Sequence, residues 1–180
     1  MKKLLLLLAF FCLVSCSVEV QPSVSFDEAL FNQQLENWQK QNITHYSFTW
    51  YISGDTPNED VFGYVTRKGK EYSVELKYNE EYFGEEKGKA KLPKEGDKEY
   101  MTSIDDAFNL IKSTYSEQKE LFDKGDLFSV SVYSDYDNQF FFPKNTEIFY
   151  REDKFVKDAI GDEHPLIAFE IREFQILGQE

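Results

Sequence analysis

The sequence predicts an α+β fold, a single antiparallel sheet of about six strands with two main helices packed on one face. Three observations lead to it. Two segments carry apolar residues at helical spacing, while six others read as strands, most with clear apolar-polar alternation. Their order along the chain is helix, three strands, helix, three strands. Turn formers such as "RKGK" separate neighbouring strands closely enough for antiparallel pairing, which leaves the helices to cover one side of the sheet.

The first helix is expected from about Phe26 to Gln41 in "SFDEALFNQQLENWQKQN". Ser25 and Glu28 fit a capping box, Asp27 and Glu28 suit the positive N-terminal end, and Leu30, Phe31, Leu35 and Trp38 share a face. "HYSFTWYIS" follows as a half-buried strand, with Tyr46, Phe48, Trp50 and Ile52 to one side. "VFGYVTRKGKEYSVELKY" reads as a hairpin turning at Lys68 and Gly69, with Tyr72, Val74, Leu76 and Tyr78 on one face. Residues 79 to 100, rich in Gly, Lys and Glu, read as a long mobile loop.

The second helix begins at "TSIDDAFNLIKSTY", capped by Thr102 or Ser103 with Asp105 and Asp106 in its first turn. Ile104, Phe108 and Ile111 point inward, and Gly125 marks the furthest stop. "LFSVSVYS" alternates with Phe128, Val130 and Val132 on one face. A strand follows Pro143, then a connecting acidic loop. The last strand, "LIAFEIREFQIL", sets Ile167, Phe169 and Ile171 against Ala168, Glu170 and Arg172.

Three of these segments carry a likeness: "NWQKQNITHYSFTW", "SIDDAFNLI", and the closing block from "SVYSDYDNQFFFPKN" to "FEIREF". Together they make most of residues 33 to 174 resemble a family of small secreted or lipidated bacterial proteins known only as a domain of unknown function. The resemblance implies a fold and no activity. Many members carry a close cysteine pair after the first strand, whereas this chain reads "WYISGDTP" there.

The N-terminus carries a second likeness. Lys2 and Lys3 precede an apolar run from Leu4 to Val14, too short to span a bilayer. It ends in Leu13-Val14-Ser15-Cys16, which resembles the lipobox of bacterial lipoproteins. That resemblance implies cleavage before Cys16 and a diacylglyceryl thioether on its sulfur, chemistry that needs a thiolate nucleophile. Residues 1–15 would then be a lipoprotein signal peptide, 16–25 a lipidated tether, and 26–180 one α+β domain. Cys12, inside the apolar run, would be discarded with the signal.

The chain carries 20 basic and 33 acidic residues, and the signal segment holds two of the lysines. The processed chain would therefore have a net charge of −15, which repels phosphate backbones and argues against nucleic-acid partners. With Cys16 acylated, no thiol remains for a disulfide. Stability must come from packing, for which 17 Phe, 11 Tyr and 2 Trp supply large buried areas.

Candidate chemistry is sparse. His45 and His164 have no recognisable ligand partners in sequence, and no HExxH, CxxC, GxSxG or phosphate-binding loop occurs. Asp135, Asp137 and Asn138 in "SDYDNQ" could supply oxygen ligands to Ca²⁺, with Gly161 to His164 adding to them. The glycine and glutamate of an EF-hand loop are missing, and a hairpin turn explains the same residues. Phe140, Phe141 and Phe142 are consecutive, so a strand through them would expose at least one ring, unless both faces are covered.

The expected protein is a membrane-anchored envelope lipoprotein, held in the bilayer through acylated Cys16, with a non-enzymatic binding or structural module whose ligand is unknown and whose candidate partners are an envelope protein or glycan. No cofactor is expected. The alternative is an envelope hydrolase or Ca²⁺-dependent module using carboxylates in a cleft. Ser17 after the cysteine, where aspartate would retain a protein at the inner membrane of enteric-type bacteria, favours the outer membrane.

Overall fold

The computed structural model describes residues 21–54, 61–78, 92–152 and 165–178. Cys16, the loop at 79–91 and the acidic loop at 153–164 with His164 lie outside them. Along the described chain run β1 (Ser23–Ser25), α1 (Glu28–Gln41), β2 (His45–Ser53), β3 (Val61–Lys68), β4 (Glu71–Tyr78), α2 (Ile104–Lys124), β5 (Ser129–Tyr136), β6 (Pro143–Arg151) and β7 (Ile167–Ile176). All seven strands join one sheet, ordered β1-β5-β6-β7-β2-β3-β4.

The α+β class, the single sheet and the two helices agree with expectation. Two details are corrected. The sheet has seven strands rather than about six, and it is mixed rather than antiparallel, because β1 runs parallel to β5 with Ser23 opposite Ser129. β1 lies in the stretch expected to be tether. Three residues are too few to show a period, and the partner that makes them a strand is far away in sequence.

Each helix is closed by side-chain chemistry. At α1 the cap is Asp27 rather than Ser25: its Oδ1 accepts from the Leu30 amide at 2.9 Å. Phe26 just before the cap packs on Phe31 at 5.4 Å between ring centroids, a hydrophobic staple that fixes the chain's entry one residue before Asp27. Asn42, at φ +50°, ends the helix in the left-handed conformation. At α2 the Ser103 hydroxyl accepts from the Asp106 amide, while the Asp106 carboxylate accepts from the amide and hydroxyl of Thr102. The helix runs unbroken to Gly125, whose φ of +84° suits glycine.

Both helices lie on one face of the sheet. Trp38 of α1 meets Tyr46 of β2 edge-on at 5.7 Å, and Phe31 meets Phe108 of α2 at the same separation. The Tyr46 hydroxyl accepts from the Ile104 amide in the first turn of α2 at 3.3 Å. The predicted inward set of β2 is buried throughout, joined by Val61 and Val65, Val130 and Val132, Ile148, and Ile167, Phe169 and Ile171. Each such aliphatic or aromatic side chain contributes roughly 1.5–3 kcal/mol by leaving water.

Trp50 lies at the centre, fully buried, its indole N–H donating to the Met101 carbonyl at 3.1 Å. It lies across Gly63, its cross-strand partner. A Cβ on Gly63 would come within 2.0 Å of the indole ring, so only glycine fits beneath it.

Towards its C-terminal end the sheet forks. β6 pairs with β7 only from Asn145 to Ile148, opposite Ile167 to Glu170, and β7 continues beside β2 alone. There β7 carries a bulge: the register against β2 shifts between Ser47 and Thr49, and Glu173 takes φ +53°. The extra residue turns Phe174 inward, against Trp38 at 5.9 Å and Tyr46 at 5.5 Å.

Candidate functional site

The oxygen-ligand candidates do not converge. Asp135 is exposed on β5 opposite Asn145, in a shallow recess with Tyr133, Ser134 and Glu147. Asp137 borders a different recess, and its Oδ1 already accepts from the amides of Gln139 at 2.8 Å and Phe140 at 2.7 Å. That is the self-bonded turn of an Asx residue. Asn138 is an exposed residue of the same turn. Among the described residues no group of three or more His, Cys, Asp or Glu is placed to hold a metal ion. His45 is half-buried, with Nδ1 3.0 Å from the Thr44 hydroxyl.

Phe140, Phe141 and Phe142 form the end of this turn rather than part of a strand, so simple alternation does not govern them. Phe140 and Phe142 both reach Phe174, each at 4.9 Å. Phe141 between them takes φ +65°, a conformation costly for a bulky residue. The turn thus keeps two of three rings on the core. With Lys144, Glu170 and Arg172 it walls a recess of about 380 Å³ in the fork of the sheet. The hydrogen bond that Arg172 donates to Glu170 is the chief cause raising its pKa above the ordinary guanidinium value. The signal for this recess is the sequence "IREF", where Phe174 breaks the alternate spacing of Ile167, Phe169 and Ile171.

A larger groove, about 680 Å³, runs between Tyr72 of β4, the turn at Glu95 to Tyr100, and the outer flank of α2 from Asp106 to Ser116. The Tyr72 hydroxyl donates to Glu95 at 2.5 Å, and that bond raises its pKa. Lys98 pairs with Glu117 across the groove.

A further surface is the sheet face away from the helices. Tyr51 and Phe62 lie side by side there at 4.7 Å, with the Arg172 guanidinium 5.7 Å from the Tyr51 ring centre. The Lys77 ammonium lies 4.7 Å from the ring of Tyr64, and Tyr133 meets Phe149 edge-on at 5.9 Å. Tyr64 and Tyr133 are 39% and 57% exposed, so this face presents rings to water that the opposite face buries. Sequence alternation supplied these outward positions, and the expected packing of both helices on one face matches what the other side shows. Among the described residues no helix is long and apolar enough to cross a membrane. No protein-family model, no curated protein and no solved structure matches the chain.

Proposed function

We propose that this chain is a lipid-anchored protein of the bacterial cell envelope whose folded domain is a non-enzymatic binding module. Leu13-Val14-Ser15-Cys16 after a lysine-led apolar run supports the anchor, and a bilayer inserted with acyl chains from Cys16 would be its first partner. The observation that carries the binding reading is the sheet face on which, among the described residues, neither helix lies. Its Tyr, Phe and Arg side chains are the residue types enriched where proteins meet partners. The net charge of −13 keeps nucleic acid from that list. Residues 33 to 174, in their likeness to small secreted proteins, suit an exported domain. An envelope protein or glycan at the outer membrane is the partner class that follows.

Two measurements test it. Cys16→Ala is expected to move the protein out of the membrane fraction and to remove an acyl mass seen in the intact parent. A variant that stays in the membrane at unchanged mass would defeat the anchor. Binding of the purified chain to isolated envelopes is expected to fall at least several-fold in Tyr64→Ala/Tyr133→Ala. Equal binding would defeat the assignment to this face.

A further inference from the structure

Among the described residues, the two edges of the sheet differ. β1 is three residues long and follows Pro22, which has no amide to donate. β4, at the other end of the strand order, pairs residue for residue with β3 from Glu71 to Tyr78, without a bulge or a proline. Glu71, Tyr72, Ser73, Glu75 and Lys77 are all exposed. A long, regular edge of this kind is a template for another strand.

The two-residue turn at Gly69 and Lys70 makes Lys68 and Glu71 the closing pair of the β3–β4 hairpin. By alternation from that pair, Tyr72, Val74 and Leu76 turn their backbone N–H and C=O groups away from β3. Their side chains share the helix-bearing face, where Val74 and Leu76 already pack partly on the core. What could pair there must match apolar positions on one face and the order Glu71, Ser73, Glu75, Lys77 on the other.

We infer that the occupant is the β4 strand of a second copy of this chain, antiparallel across a twofold axis normal to the sheet and centred on Val74. In that register Tyr72 lies opposite Leu76 of the second copy and Val74 opposite Val74. On the other face Glu71 meets Lys77 at both ends and Ser73 meets Glu75. A shift of the centre to Glu75 sets Glu75 against Glu75, and a shift to Ser73 sets Glu71 against Glu75. Both place like charges face to face, which cross-strand pairing disfavours. The Val74-centred register uses most of the strand, matches charge twice, and keeps both helical layers on one side. A twofold pair is also the commonest closed assembly, since one patch serves both partners. The strand pairing stands independently of the lipid anchor.

The test is sedimentation velocity on the full chain in detergent, over a concentration series, with thermal melts of each variant to separate lost pairing from lost folding. The parent is expected to show a reversible dimer. Glu71→Lys and Lys77→Glu should each weaken it about tenfold, and the double reversal E71K/K77E should restore it. Ser73→Cys with Glu75→Cys should trap a disulfide-linked dimer on mild oxidation, because directly opposed residues in such a pair lie about 4.5–5.5 Å apart at Cα. Ser73→Cys with Lys77→Cys, the pair of the Glu75-centred register, should not. A monomer throughout the series overturns the inference. So does a dimer indifferent to both charge reversals, or one trapped only by the S73C/K77C pair.

Discussion

Replacing Gly63 with alanine adds one methyl group at the most crowded point of the fold. The new Cβ would meet Trp50 Cε2 at 2.0 Å, Cζ2 at 2.3 Å and Nε1 at 2.4 Å, all far inside contact distance. Trp50 has no exposed surface and no room to yield without moving its neighbours. Overpacking of this kind costs about 1–3 kcal/mol. If the indole swings away, its hydrogen bond to Met101 breaks as well, leaving a buried donor and acceptor unpaired at about 1–3 kcal/mol more. The expected loss is therefore about 3 kcal/mol or above. Urea unfolding followed by fluorescence reads it well, since the chain has two tryptophans, Trp38 and Trp50, and both are buried. With a denaturant slope of about 2 kcal/mol per molar, the midpoint should fall by about 1.5 M. The cost should shrink sharply on a Trp50→Leu background, where the methyl group has space, and far-UV circular dichroism can follow that cycle. An unchanged midpoint, or the same loss on both backgrounds, would refute the packing argument.

Asp27→Ala removes the cap of α1 and should cost about 1 kcal/mol in urea unfolding, whereas Ser25→Ala should cost less than half of that. Burial pushes the phenols of Tyr46 and Tyr136 up to about 12, against the backbone hydrogen bond from Ile104 at Tyr46 and the Ser134 hydrogen bond at Tyr136, which act the other way. Their raised values mean that the folded state keeps these protons longer than the unfolded chain, so stability is complete below pH 10 and falls as pH rises towards 12. Tyrosinate absorbance in an alkaline titration should rise in two stages, the later one coinciding with loss of far-UV circular dichroism. Asp137→Ala should loosen the turn and cost about 1–2 kcal/mol of stability at the melting midpoint, seen as a lower melting temperature. The parent's melt should not respond to added calcium.

Local physics made much of this fold legible. Tyr46, Phe48, Trp50 and Ile52 announced both a strand and its buried face, because period and side-chain size agreed. Gly125 and the Ser103 end of α2 were equally readable, since each is a stereochemical requirement of a helix terminus. Where distant residues decide, the sequence was silent. Nothing in "SVS" points to β5. The choice of Asp27 over Ser25 as the cap is local, but two capping patterns overlap there and the staple between Phe26 and Phe31 goes with the second. The Asp135, Asp137 and Asn138 cluster looked like a ligand set because one-dimensional proximity hides orientation. In three dimensions Asp137 bonds its own turn, and Asp135 borders another recess. The bulge at Glu173 could have been read from the broken spacing before Phe174. The fork it helps create could not, because it depends on where β6 leaves β7.

The short first strand has a mechanical consequence. With lipid on Cys16, a leash could run no further than Ser23, where pairing with β5 begins. Seven residue steps at full extension span about 25 Å at most. The domain's centre would then stand no further from the bilayer than roughly its own radius, about 20 Å for a radius of gyration of about 15 Å, plus that leash. Its acidic surface would sit close enough to anionic headgroups to be pushed outward at low salt and to settle closer as salt screens the repulsion. Lengthening the leash by inserting residues before Pro22 should relax that dependence without touching the fold. Deleting the pairing of Ser23 to Ser25 should do the same by letting the edge strand peel away.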